Sequence, residues 1–209
     1  MDVISLDLED ASLAVRLLRG WWHGRKDEGF LPPSPAREPG PHVTDILYDL
    51  MERSGLVKAS KPLTDDNTDG LLRATVGFAW EDIVGDILGR RAQILSQARV
   101  ERDGIIGSID GLDAKSGLIE EWKATWMSEA TAWERNFRWL AQIKAYLACT
   151  GMDTAILRVL HVSPYPRSRS YRLTFTQNEI DENWLMLLNH HRWLTSRGLL
   201  YGGGEKKES

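Results

Sequence analysis

The stretch from residue 105 to residue 123 constrains the fold and the function of this chain more than any other segment. Isoleucines at three positions within 105–109 favour a strand, and the run Asp-Ala-Lys-Ser-Gly at 113–117 has the composition of a turn. The apolar pair at 118–119 begins a second strand. This pattern predicts an antiparallel hairpin closed by a loop of about five residues.

The hairpin brings charged side chains together. Its expected register places Asp110 roughly opposite residues 119–121, so that Asp110 and Glu121 converge. Glu121 and Lys123 are two positions apart and leave the same face of the strand, whereas Trp122 points to the other face. The sequence therefore predicts a carboxylate pair with an ammonium group beside it.

Two converging carboxylates repel each other and need a cation or a shared proton. Mg²⁺ takes oxygen ligands and is often held by one or two carboxylates together with substrate phosphates. An ion held by Asp110 and Glu121 could lower the pKa of a water molecule and neutralise charge on a phosphoryl group. Lys123 would hold the nucleophile or stabilise the developing negative charge.

The charged residues of the hairpin and two further segments resemble the motifs of a known family. Asp110, followed by the Glu-Trp-Lys run at 121–123, is similar to the core motif of the PD-(D/E)XK phosphodiesterase superfamily. The run at 142–146 matches the Q-x-x-x-Y helix motif of the RecB-like branch, and Gly-Phe-Ala-Trp-Glu at 77–81 resembles its helix with a further acidic ligand. Together these motifs cover about residues 75–160.

The resemblance implies a metal-dependent DNA nuclease of the RecB-like or phage exonuclease type, with Mg²⁺ or Mn²⁺ as cofactor. By that resemblance Asp110 and Glu121 are metal ligands, and Glu81 is an additional ligand. Lys123 is the catalytic lysine. The remaining catalytic candidates position the substrate strand or the lysine: Gln142 and Tyr146.

Local alternatives remain open. If the register slips by one residue, Glu120 replaces Glu121, but Lys123 then faces the other side of the hairpin. The acidic and basic side chains of the hairpin could also form a solvated face with a cross-strand ion pair. Gln142 and Tyr146 share a helix face and could be an ordinary polar pair.

Composition limits the classes of protein to consider. The single cysteine, Cys149, excludes an intrachain disulfide and a four-cysteine iron–sulfur cluster, and we expect it to serve packing. No G-x-x-x-x-G-K-[ST] loop is present, so we expect no bound ATP. The sequence has no membrane-spanning apolar run and no signal-peptide pattern at its N-terminus, which predicts an intracellular, cytoplasmic protein with no membrane partner. By resemblance, small proteins of this kind are encoded by phages.

The net charge of −4 opposes binding to DNA, but the charge is unevenly distributed. Residues 135–172 contain seven basic side chains and one acidic side chain. This segment includes the loop expected at 163–170 and could line a groove for a phosphate backbone. The predicted DNA-binding residues are Arg135, Arg138, Lys144, Arg167 and Arg169.

We expect one domain over residues 1–201, with a helical and Pro-rich region at 1–70 and a flexible tail at 202–209. The pattern predicts helices at 6–22, 74–89, 132–150 and 179–197, a helical segment that resumes near Val43, and a Pro-rich connection at 30–41. Strands are expected at 93–99, 104–112, 118–124, 154–162 and 170–176. This α-β-β-β-α-β order suits an α/β fold with a mixed central sheet flanked by helices, which is also the restriction-endonuclease-like core that the resemblance implies.

The leading hypothesis is an exonuclease of DNA recombination or processing. Two alternatives remain: a structure-specific or restriction-like endonuclease that uses the same site, and a catalytically inactive DNA-binding or assembly subunit. A homo-oligomer or a recombination partner protein is compatible with all three hypotheses.

Overall fold

The computed structural model describes residues 2–4, 38–57, 68–92, 94–127, 136–162 and 167–199. Several expectations lie outside the described residues: the helix at 6–22, most of the Pro-rich segment at 30–41, the tail at 202–209, and Arg135.

The described part of the chain contains one six-stranded sheet with the order β1-β6-β5-β4-β3-β2. Strands β4 and β5 are parallel, and all other neighbours are antiparallel. The predicted mixed central sheet is therefore confirmed. The strands are β1 (Asp2–Ile4), β2 (Ile94–Arg102), β3 (Ile105–Asp113), β4 (Ile119–Thr125), β5 (Thr154–His161) and β6 (Arg167–Thr174).

Four helices are described: α1 (Val43–Arg53), α2 (Thr68–Ala92), α3 (Phe137–Thr150) and α4 (Gln177–Ser196). Helix α3 lies in the crossover between the parallel strands β4 and β5, a connection that cannot be made by a tight turn. Among the described helices, none is both long and apolar enough to cross a membrane.

Helices cover both faces of the sheet because the strand side chains alternate. Glu121 on β4, Leu157 on β5 and Tyr171 on β6 lie side by side on one face. The apolar residues of this face form the larger core with α1, α3 and α4. On the other face, Trp122 and Leu160 pack against α2 in a second core. Trp122 is buried.

The two hairpins that lead into the site have well-defined turns. Asp103 and Gly104 between β2 and β3 both have positive φ values, 52° and 77°, as a two-residue type I′ turn requires. The side chain of Asp103 accepts a hydrogen bond from Nε1 of Trp184, at 2.8 Å, which joins this turn to α4. Between β3 and β4, the Asp113 carboxylate accepts hydrogen bonds from the Lys115 backbone and the Ser116 hydroxyl, at 2.9 and 2.8 Å.

Several element bounds differ from the expectation: α2, expected at 74–89, spans Thr68–Ala92, and β2, expected at 93–99, spans Ile94–Arg102. Helix α3 begins at Phe137 rather than at 132, because the Asn136 side chain caps it by accepting the Trp139 backbone N–H. The last strand spans Arg167–Thr174 rather than 170–176, because Thr176 is the N-cap of α4 in a capping box with Glu179.

Candidate active site

The site begins where β3 and β4 stop pairing. Gly111 pairs with Glu120, so that Asp110 and Glu121 are the next positions along the two strands. The Asp110 carboxylate accepts a hydrogen bond from the Trp122 backbone N–H, at 2.8 Å. Asp110 is thus held by the neighbouring strand itself.

Lys123 lies between the two carboxylates. Its Nζ contacts Oε1 of Glu121 and lies 3.5 Å from Oδ2 of Asp110. The side chain of Glu121 is completely buried, whereas Lys123 and Asp110 are 17% and 18% exposed. The predicted trio is therefore assembled, with Glu121 at its base and the other two groups facing the open side.

Glu120 points to the opposite face and belongs to a different network. Its carboxylate accepts hydrogen bonds from Nε and Nη2 of Arg158, at 2.6 and 2.7 Å. It also accepts one from Nε1 of Trp122, at 3.0 Å. The slipped register that would replace Glu121 with Glu120 is therefore wrong, and Glu120 forms a buried structural ion pair.

Glu81 approaches the trio from α2. It lines the same cavity as Asp110 and Lys123, while the preceding Trp80 is buried in the core between α2 and the sheet. Burial, followed by repulsion from Asp110, raises the pKa of Glu81 to about 7. The third predicted carboxyl group therefore shares the electrostatic environment of the first two.

The four ionisable side chains, Glu81, Asp110, Glu121 and Lys123, do not balance one another in charge. Burial and the nearby Asp110 carboxylate raise the pKa of Glu121 well above its usual value. Burial alone would lower the pKa of Lys123, but attraction by Asp110 and Glu121 outweighs burial and raises it. Three carboxyl groups thus share one ammonium group, which favours the uptake of protons or of a cation.

The donor set has the chemistry that a hard divalent ion requires, but the side chains are not already arranged as a ligand set. Among the described residues, no three His, Cys, Asp or Glu side chains are grouped closely enough to hold a metal. Both carboxylate oxygens of Glu121 are buried and lack a hydrogen-bond donor in that part of the chain, although Lys123 forms an ion pair with Oε1. An unsatisfied buried carboxylate oxygen fits a metal ligand.

Gln142 and Tyr146 lie one helical turn apart on α3 and both line the cavity. Nε2 of Gln142 donates a hydrogen bond to Oη of Tyr146, at 2.9 Å. The ring of Tyr146 packs against β3 at Gly107, where a Cβ atom would lie 2.9 Å from two ring carbons. Gly107 therefore permits the close approach that places this pair beside the carboxylates.

The cavity has a volume of about 530 Å³ and is lined by basic as well as acidic side chains. Arg138 of α3 is one of them, and its guanidinium donates a hydrogen bond to Oη of Tyr48 and lies 4.9 Å from the centre of its ring. His42, at the start of α1, also lines the cavity and is only 3% exposed. Its Nε2 donates to the backbone oxygen of Glu38, because a carbonyl oxygen can only accept, and this leaves Nδ1 without a partner among the described residues.

The structure separates the basic residues that the sequence groups together. Arg138 lines the cavity, whereas Lys144 lies over the ring of Phe175. Arg167 and Arg169 belong to β6 and not to a loop, which corrects the expectation of a loop at 163–170. On the sheet, Arg169 is separated from Lys123 by Val159 of β5.

The cavity wall also contains four polar residues that were not among the candidates: His42, Thr44, Tyr48 and Ser108. Ser108 precedes Asp110 by two positions on β3, and this alternation could have identified it. His42 and Tyr48 carry no comparable local signal, because they reach the cavity only through the packing of α1.

No known family model matches the sequence, and no curated protein sequence matches it. Solved structures do match. An alkaline exonuclease from Laribacter hongkongensis (LHK-Exo) has a TM-score of 0.51 and 12% sequence identity, over 80% of this chain and 84% of that chain. The same exonuclease in complex with dAMP has a TM-score of 0.48 and 12% identity, over 76% of this chain and 93% of that chain. A phage related exonuclease from Haemophilus somnus 129PT has a TM-score of 0.41 and 12% identity, over 77% and 97% of the two chains. The fold assignment rests on the first of these likenesses.

Proposed function

We propose that this protein is a metal-dependent DNA nuclease of the PD-(D/E)XK superfamily that hydrolyses phosphodiester bonds, and that it acts as an exonuclease in DNA recombination or processing. One observation carries the proposal. Asp110 and Glu121 form ion pairs with a single lysine, and the cavity that Asp110 and Lys123 line is also lined by a third carboxyl group, Glu81, and by Arg138. The fold that the chain shares with an alkaline exonuclease is consistent with this activity.

Asp110 and Glu121 would hold Mg²⁺ or Mn²⁺, and Glu81 would be an additional ligand. Carboxylate oxygens suit these hard ions, and the buried Glu121 carboxylate lacks other donors among the described residues. The ion would supply a water molecule of lowered pKa and neutralise charge on the phosphoryl group. To make room for it, Lys123 would move away from the two carboxylates toward the open side of the cavity.

Lys123 is the proposed catalytic lysine. At 17% exposure its ammonium group is within reach of a substrate in the cavity. A protonated amine beside the attacked phosphorus would stabilise the negative charge that develops on the phosphoryl oxygens. It would also orient the attacking water, for which Asp110 is the adjacent acceptor.

Gln142 and Tyr146 would position the substrate strand or the lysine. Their mutual hydrogen bond fixes the two polar groups on the cavity wall, and the rigid helix α3 carries both. Groups held in this way contribute through geometry rather than by ligation. Arg138, whose guanidinium is oriented by Tyr48, would bind a phosphate of the strand.

Cleavage of end-labelled linear DNA and closed circular DNA, each with Mg²⁺, Mn²⁺ or EDTA, tests the proposal. We expect both metals to support cleavage of the linear DNA, EDTA to stop it, and the circle to remain intact. Cleavage of the circle would replace the exonuclease by the endonuclease that uses the same site. DNA binding without cleavage under all conditions would identify an inactive DNA-binding subunit and refute the enzymatic proposal.

A further inference from the structure

A basic and aromatic cluster lies on the surface where the end of α1 meets the end of α4. Trp193 is 37% exposed, and two guanidinium groups lie over its ring, Arg53 at 5.4 Å and Arg197 at 4.5 Å from the ring centre. His190 stacks against the same ring, with 5.7 Å between ring centres. We call Arg53, Trp193 and Arg197 the Trp193 cluster.

A buried carboxylate holds the cluster in place. Asp49 of α1 is only 2% exposed and accepts hydrogen bonds from Nε of Arg53, at 2.8 Å, and from Nε2 of His190, at 2.7 Å. Asp49 balances one of the two guanidinium charges of the cluster. Arg197 is exposed. Among the described residues, the contact seen for its guanidinium is the one with the Trp193 ring. The cluster is therefore a preorganised surface of net positive charge.

Helix α1 connects this cluster to the cavity. Thr44 and Tyr48 in the first half of the helix line the cavity, and its last residue, Arg53, belongs to the cluster. At a rise of about 1.5 Å and a rotation of about 100° per residue, Arg53 lies roughly 7.5 to 13.5 Å along the axis from Tyr48 and Thr44 and on the other side of the helix from them. A DNA strand that passes around this helix, about 10 to 12 Å wide with its side chains, covers the distance in roughly four to seven nucleotides at about 3.4 Å each.

We propose that the Trp193 cluster is a second contact site for nucleic acid, which binds the phosphate backbone of the strand where that strand leaves the cavity. The inference rests on the proposed nuclease function and deepens it. An arginine held over an aromatic ring keeps its N–H donors for phosphate oxygens and loses little conformational freedom on binding. Because the site contacts phosphates, it binds the strand without regard to base sequence. It adds a contact with the strand at a distance from the cleaved bond.

The test compares a dinucleotide, which is too short to reach from the cavity to the cluster, with a dodecanucleotide that spans both. Arg197→Gln removes one charge at an exposed position, and Trp193→Ala removes the ring that orients both guanidinium groups. Arg172→Gln is the matched control, because Arg172 is exposed on β6 and lies on the sheet face opposite to that of Tyr171. Affinities are measured in EDTA as a function of salt, and circular dichroism checks the fold of each variant.

We expect Arg197→Gln to lower the affinity for the dodecanucleotide about fivefold to tenfold relative to that for the dinucleotide. Its plot of log affinity against log salt should be shallower by about 0.7, the value for one lost phosphate contact on a single strand. Trp193→Ala should cause a larger relative loss, and Arg172→Gln should match the parent protein.

The failure of this inference is distinguishable from that of the proposed function. If the parent binds both oligonucleotides but Arg197→Gln and Trp193→Ala keep the parental ratio of affinities, only the second contact site is refuted. If the parent binds neither oligonucleotide, the second contact site is refuted, and if it also fails to cleave linear DNA with Mg²⁺ or Mn²⁺, the proposed function is refuted as well. If oligoglutamate displaces the dodecanucleotide as well as unlabelled DNA does, the cluster binds any polyanion, and its assignment to a nucleic acid strand is overturned.

Discussion

Gly107→Ala tests whether the position of Tyr146 matters for catalysis. A Cβ at this position would lie 2.9 Å from Cδ1 and Cε1 of Tyr146 and 2.8 Å from Cγ2 of Val100. Carbon atoms in ordinary contact are about 3.5 to 4.0 Å apart, so the ring must move by roughly 0.6 to 1.1 Å. A shift of this size breaks or misaligns the 2.9 Å hydrogen bond between Gln142 and Tyr146.

The expected effects follow from this displacement. Forcing an extra methyl group into a packed core costs about 1 to 3 kcal/mol, which lowers the melting temperature by roughly 2 to 12 °C for a chain of this size. A misplacement near 1 Å costs on the order of 10²-fold in rate when positioning groups are involved. We therefore expect the cleavage rate of Gly107→Ala to fall by about tenfold to a hundredfold at temperatures at which the protein remains folded.

Gly77→Ala is the matched control. Gly77 lies within α2, four residues before Glu81, and a Cβ there meets no atom within 4 Å. Alanine is the better helix former by up to about 1 kcal/mol, so this variant should be as stable as the parent or more stable, with unchanged cleavage. Thermal unfolding and steady-state cleavage are measured on both variants.

Two results would contradict the reasoning about Gly107. If Gly107→Ala cleaves DNA at the parental rate, Tyr146 does not position anything that limits the reaction. If its activity falls only in proportion to the unfolded fraction at each temperature, the glycine serves packing alone.

Three further predictions concern charged groups. Lys123→Ala should abolish cleavage with little loss of folding stability, as judged by activity assay and thermal unfolding, whereas unfolding of this variant would indicate a structural ion pair instead. Glu81→Gln should shift the Mg²⁺ titration of cleavage to higher concentrations, and an unchanged titration removes Glu81 from the ligand set. Burial raises the pKa of Asp49, but hydrogen bonds from Arg53 and His190 outweigh it and hold that pKa below its usual value. The stability that ionised Asp49 contributes is thus fully present above its unfolded-state pKa of about 3.9 and is lost as the pH falls through the lower folded-state value. Asp49→Asn should therefore destabilise the protein near neutral pH, with a difference from the parent that narrows in acid unfolding measurements; a constant difference from pH 7 to pH 2 refutes the linkage.

The sequence predicted the hairpin and its charged trio because their determinants are local. Turn residues set the register of β3 and β4, and the alternation of side chains then separates Glu121 and Lys123 from Glu120. The structure confirms this grouping because a buried partner, Arg158, fixes Glu120 on the other face. Their roles in catalysis stay predictions.

The contact between Tyr48 and Arg138 in the cavity wall could not be predicted in the same way. Tyr48 and Arg138 are distant in sequence, and their contact depends on how α1 packs against α3. The count of basic residues between 135 and 172 assumed that neighbours in sequence share a surface. Alternation along β5 and β6 instead places Arg158 and Arg169 on opposite sheet faces, so a local excess of charge does not define a groove.

The charge of the cavity should couple the binding of metal to the binding of DNA. Glu81, Asp110, Glu121 and Lys123 together carry a formal charge of −2 when all are ionised, and the whole chain carries −4. A DNA phosphate would be repelled by these four side chains, although Arg138 in the wall of the same cavity attracts it. One divalent ion at the proposed site neutralises the formal charge of the four side chains. Metal binding and DNA binding should therefore be coupled and should strengthen each other by the same factor, since thermodynamic linkage is reciprocal. Replacing one carboxylate with a neutral group removes part of the same repulsion, so that Glu121→Gln should bind DNA more tightly than the parent in EDTA at alkaline pH, where the parental carboxyl groups are ionised, while failing to cleave it with Mg²⁺.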